Sequence, residues 1–130
     1  MNHRRIIPLG LIALLTLTLL GCAAKTTSTP LPIGATNPTD ASSYRVLVDA
    51  KAFLGSIGSS VTAGKLTLTA TQKTTYNALV TASNTADALW EQYHAATAAQ
   101  QATLAPQLTT ATNNLNAALA AAQGQITVAQ

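Results

Sequence analysis

Apolar and polar residues follow three different rhythms along the chain. From Ile6 to Leu20 the residues are nearly all apolar, interrupted by Pro8, Gly10, Thr16 and Thr18. From Ala23 to about Thr39 there is little apolar bulk. Pro30, Pro32, Pro38 and Gly34 stand there among threonines and serines, a composition that predicts a flexible tether. Beyond Asp40 the apolar positions recur at steps of three and four, the period of a helix with one buried face.

That period predicts three helices. The first starts at Asp40, whose carboxylate can cap free amides. It carries Tyr44, Leu47, Val48, Leu54, Ile57 and Val61 as its stripe, with Gly55 and Gly58 lowering its propensity and Gly64 as terminator. Leu66 and Leu68 alternate with threonines in the manner of a strand, yet Thr69-Ala70-Thr71-Gln72 fits a capping box, so the second helix is expected to begin there. Its buried face is Tyr76, Leu79, Val80, Ser83, Ala86, Trp90 and Tyr93, bordered by Leu89. The third helix carries Leu104, Leu108, Ala111, Leu115, Ala118, Leu119 and Ala122. Two starts are open to it. A capping box at Thr97 to Gln100 places Pro106 inside the helix as a kink, whereas a cap at Thr103 puts Pro106 in the first turn, where a missing amide costs little. The earlier start is preferred.

Gly124 is expected to end this helix. The division that follows is a leader over 1–21, a tether over 22–39, a helical domain over 40–124 and a frayed tail over 125–130. Short connections between three amphipathic helices imply an all-α fold, an antiparallel up-down-up three-helix bundle. About 85 residues can close such a core without metal or disulfide.

The leader has the parts of an export signal: basic Arg4 and Arg5, the apolar stretch, and small Gly21 at the cut. As a helix, Ile6 to Leu20 covers about 22 Å against a hydrocarbon core of about 30 Å, too short to span well. The segment Leu19-Leu20-Gly21-Cys22 resembles the lipobox of bacterial lipoproteins, although leucine at its third-from-last place, Leu20, is less usual than alanine or serine. The resemblance implies cleavage between Gly21 and Cys22, a diacylglycerol thioether on Cys22 and acylation of its new amino group. Each buried methylene contributes about 0.8 kcal/mol, so two or three acyl chains form a stable anchor where one does not. Ala23 stands where enterobacterial lipoproteins retained at the inner membrane commonly have aspartate. The resemblance therefore favours the outer membrane, facing the periplasm.

Charge narrows the partners. After loss of the leader, Lys25, Arg45, Lys51, Lys65 and Lys73 face Asp40, Asp49, Asp87 and Glu91, close to neutrality and with the cations scattered singly. Nucleic-acid binders cluster their basic residues, so nucleic acid is not expected as a partner. Charged residues make up 8% of the chain, far below the typical share of about 25%. The polar helix faces are instead built from threonine, asparagine and glutamine.

Candidate chemistry is sparse. With Cys22 acylated no thiol is left for a disulfide, a thiolate metal site or a nucleophile. Asp87, Glu91 and His94 lie along one side of the second helix, but three ligands on one helix rarely close a coordination sphere, and a solvated helix face is expected there. No nucleophile elbow, phosphate loop or dinucleotide fingerprint occurs. Neither enzyme activity, metal nor cofactor is expected beyond the covalent lipid.

The expectation is a lipid-anchored, non-enzymatic envelope lipoprotein whose helical domain binds or supports another envelope component. The alternatives are a phage or mobile-element lipoprotein acting in receptor blocking or lysis, with slight resemblance to outer-membrane spanins, and a self-associating structural protein. The last is similar in plan to the murein lipoprotein, an acylated cysteine followed by heptad helix. This chain departs from it by ending Ala129-Gln130 without the lysine that joins the wall, and by Pro106 and the glycines, which interrupt a single long coil.

Overall fold

The structure is a computed structural model that describes residues 34–127. The leader, Cys22 and the first part of the tether lie outside the described residues, as do residues 128–130. Three helices follow one another: α1 (Pro38–Thr62), α2 (Ala70–Ala95) and α3 (Ala98–Gln125). They form the all-α three-helix bundle, each helix packing against the other two.

Local chemistry sets the helix ends. Asn37 is the cap of α1, its side chain accepting from the Asp40 amide at 3.0 Å, and Pro38 occupies the first turn, where no amide is needed. This corrects the expectation that Asp40 is the cap. Asp40 lies three residues inside, and its carboxylate turns back to accept from the Thr36 amide at 2.7 Å. The other end of α1 is a Schellman closure: Lys65 N–H bonds to Ser60 O and Gly64 N–H to Val61 O. Gly64 sits at φ +68°, a conformation that strains any residue with a Cβ.

Both capping boxes are present, with Thr69 and Gln72 opening α2 and Thr97 and Gln100 opening α3. The earlier start of α3 is therefore the one adopted, and Pro106 lies inside the helix. Among the described residues no strand occurs, and Leu66 and Leu68 belong to the connection between α1 and α2. Gly124 does not end α3, which runs on to Gln125. The Gln125 carbonyl accepts from the Gln72 side chain at 2.8 Å, its amide oxygen accepts from the Thr75 hydroxyl at 2.7 Å, and Ile126 is buried. The start of the expected frayed tail is thus docked against α2.

The core is built from Leu47 and Ala50 of α1, Leu79 and Ala86 of α2, and Ala111, Leu115, Leu119 and Ala122 of α3. Ala86, Ala111 and Ala122 leave room for the helices to approach closely, and the leucines fill the space between them. Ser43 and Ser83 are also buried. The Ser43 hydroxyl accepts from Thr112 across the α1–α3 contact at 3.0 Å. Three expected core residues of α1 are instead exposed: Tyr44, Val48 and Val61. The first two lie outward of the Leu47–Ala50 face, and Val61 lies in the last turn before the closing loop. On α2, Tyr76, Val80 and Trp90 are half-buried, and the same holds for Leu104 and Ala118 on α3.

Threonine is a modest helix former because its hydroxyl competes for backbone groups. In this bundle the hydroxyls of Thr74, Thr75, Thr81, Thr85 and Thr110 each bond the carbonyl four residues back. The neutral faces of α2 and α3 therefore satisfy themselves without charged side chains.

Candidate functional site

Where α1 and α3 begin and α2 ends, side chains of all three elements close into one polar cluster. Asp40 is its centre and is fully buried. Its Oδ2 accepts from the Thr36 amide at 2.7 Å, the Thr36 hydroxyl at 3.0 Å and His94 Nδ1 at 2.8 Å, while Oδ1 is buried without a partner. An ionised carboxylate only accepts, so the imidazole carries its proton on Nδ1 and leaves Nε2 as the second nitrogen. Trp90 donates its indole N–H to the Asp40 carbonyl at 3.3 Å and stacks on the His94 ring with centroids 4.9 Å apart. The Tyr44 ring tilts against Trp90, with centroids 5.1 Å apart.

A second layer ties in α3. Tyr93 donates its hydroxyl to Asn37 Oδ1 at 3.2 Å, and Asn37 donates its side-chain amide to Gln101 Oε1 at 3.1 Å. Gln101 in turn donates to Thr36 Oγ1 and to the Tyr93 carbonyl. The residues just before α1 are thereby fastened to both other helices.

Electrostatics at Asp40 are a contest. Burial, the largest single influence, pushes its carboxyl up. The Thr36 amide, the His94 hydrogen bond, the Thr36 hydroxyl and the charge of His94 together outweigh it and hold the group below its ordinary value. The carboxylate is therefore ionised at neutral pH inside the bundle, where removing a partner costs more than at the surface.

The structure separates the three residues considered together on α2. Asp87 pairs with Lys51 of α1 at 2.8 Å, Glu91 is exposed, and His94 turns to Asp40. His94 is thus half-buried and bound to Asp40 rather than part of a fully solvated face. Among the described residues no group of three or more histidines, cysteines, aspartates or glutamates could hold a metal ion. Cys22 and Gly21, the expected lipidation and cleavage residues, lie outside the described residues. The Asp40–His94 pair was missed from sequence because its members are 54 residues apart. One local signal was available: Asn37-Pro38-Thr39-Asp40 has an N-cap residue, a first-turn proline and an acid three residues on, the marks of a helix start that turns its acid back toward the cap.

Two open grooves run between α2 and α3. One of about 480 Å³ is lined by Gln92, Ala95, Ala96, Gln100, Thr103 and Leu104. The other, of about 410 Å³, includes Thr85, Leu89, Pro106, Gln107, Thr110 and Asn114. Alkyl, hydroxyl and amide groups line both, a chemistry suited to contact with a neutral surface. No helix among the described residues is long and apolar enough to cross a membrane. Comparison with protein-family models, curated proteins and solved structures gives no match.

Proposed function

We propose that the chain is an acylated envelope lipoprotein, held by Cys22 in the bacterial outer membrane and facing the periplasm, whose bundle binds or supports another envelope component without catalysing a reaction. The observation that carries this reading is the run Leu19-Leu20-Gly21-Cys22 behind a basic and apolar leader, followed by a tether and a folded domain. A second fact is consistent with it. The chain enters the bundle at Thr36, fastened to Asp40 and Gln101, and Thr36 lies fourteen residues beyond Cys22. Such a segment reaches about 50 Å at most, so the domain works near the bilayer.

The grooves lined by amides, hydroxyls and small apolar groups favour contact with a protein over binding of a charged small molecule. Crosslinking in living cells, followed by affinity capture of a tagged chain beside its Cys22→Ser variant, tests the reading. A specific envelope protein recovered from the parent and lost from the variant is expected. Equal recovery from both would show that the contact does not depend on a membrane anchor and would overturn the proposal.

A further inference from the structure

Beside its contact with α2, where the Tyr44 ring tilts on Trp90, α1 keeps a face open to solvent. Tyr44, Val48, Ala52 and Gly55 follow one another at steps of four, four and three, which keeps them on one side of the helix, and all four are exposed. Tyr44 and Val48, 38% and 45% exposed, are two of the three large apolar side chains that the described residues leave open to solvent. A Cβ added at Gly55 would meet nothing within 4 Å, so another backbone can come close. Arg45 and Asp49 lie beside this row one turn apart, and with Tyr44 and Val48 they line a shallow groove of about 330 Å³.

A helix that fits here has small and apolar residues at its centre and, along one flank, a base and an acid separated by one turn. The α1 helix meets that description itself. We infer that two copies of the chain pair through this face, with their α1 helices antiparallel about a twofold axis level with residue 47. Under that symmetry each flank faces the same flank of the other copy, and Arg45 of one lies opposite Asp49 of the other, twice over. A parallel pairing turns the two flanks to opposite sides and forms neither contact. The guanidinium has five N–H donors, so the carboxylate of the second copy adds to the contacts Arg45 already makes. The chain also reaches: Thr36 lies eleven residues from the axis, about 16 Å along a helix, which sets the two entry points about 33 Å apart. Two segments of about 50 Å reach then meet one bilayer. The pairing goes beyond the proposed anchor and does not rest on it.

The test is a charge exchange. The full chain, produced in a bacterium and held in mild detergent, is expected to sediment with the protein mass of two copies. Arg45→Asp alone and Asp49→Arg alone place like charges opposite each other and should weaken pairing about tenfold or more. An equal mixture of the two variants, each with a different tag, should copurify as mixed dimers, because every contact across the axis is then between opposite charges. Both positions of the test are exposed, and circular dichroism confirms that the helices persist. A parent chain of single-copy mass, single variants that dimerise like the parent, or a mixture that pairs no better than either variant would each overturn the inference.

Discussion

Removing the His94 ring probes the polar cluster more sharply than any other single change. His94→Ala takes away one of three hydrogen bonds to the Asp40 carboxylate and leaves a buried ion whose Oδ1 already lacks a partner. A hydrogen bond to a charged group contributes about 1.5–3 kcal/mol net. The His94 side chain is 36% exposed, so water can enter the space it leaves and the lower part of that range applies. Loss of the stacked ring from Trp90 adds about 0.5 kcal/mol. The expected cost is about 2 kcal/mol, a fall of roughly 8 °C or more in Tm for a domain of this size. Thermal unfolding followed by circular dichroism measures it.

The same reasoning fixes the pH dependence of the site. The Asp40 carboxyl is held below its ordinary value in the fold, so the unfolded chain takes up its proton first as acid is added. Its contribution to stability is complete above the unfolded pKa of about 3.9 and is lost as the pH falls through the lower folded value. Asp40→Asn should therefore melt well below the parent at pH 7, and the gap should close in strong acid. A His94→Ala midpoint within about 2 °C of the parent at pH 7, or an Asp40→Asn deficit that persists unchanged in acid, would refute the account of this cluster.

Other expectations follow from packing and backbone. Leu115→Ala removes a fully buried leucine from the centre of the core and should cost about 3 kcal/mol by chemical denaturation, with a loss under 1 kcal/mol showing that the helices pack elsewhere. Trp90→Ala should cost about 2 kcal/mol, less than a fully buried tryptophan, because the ring is half-buried; no change in midpoint would place it outside the cluster. Pro106→Ala restores an amide at an exposed position inside α3 and should stabilise the bundle by about 1–3 kcal/mol, and a lowered midpoint would show that the packing requires the proline.

What could be read from sequence was what depends on neighbours a few residues away. Thr69 with Gln72 and Thr97 with Gln100 mark helix starts because each box is closed by side chains three residues apart. Leu108, Ala111, Leu115, Leu119 and Ala122 could be read as buried because their spacing keeps them on one side of α3. The face of α1 was harder. Its apolar residues spread around the helix, and Tyr44 and Val48 fit the three- and four-residue steps as well as Leu47 does. Only the packing of the rest of the chain around α1 decides that Ala41, Ser43, Leu47, Ala50 and Ile57 are buried. A buried serine carries no apolar signal, and Ser43 is satisfied by Thr112, 69 residues away. The role of His94 was illegible for the same reason. On its own helix it reads as polar, and its carboxylate comes from the start of another.

The intact mass of the chain purified from bacterial membranes tests the central functional claim most directly. The proposed lipoprotein should have the mass of residues 22–130 plus a diacylglycerol and an amide-linked acyl chain, and Cys22→Ser should lose both the lipid and the cleavage after Gly21. A parent chain that keeps its leader, or begins elsewhere with an unmodified Cys22, would contradict it.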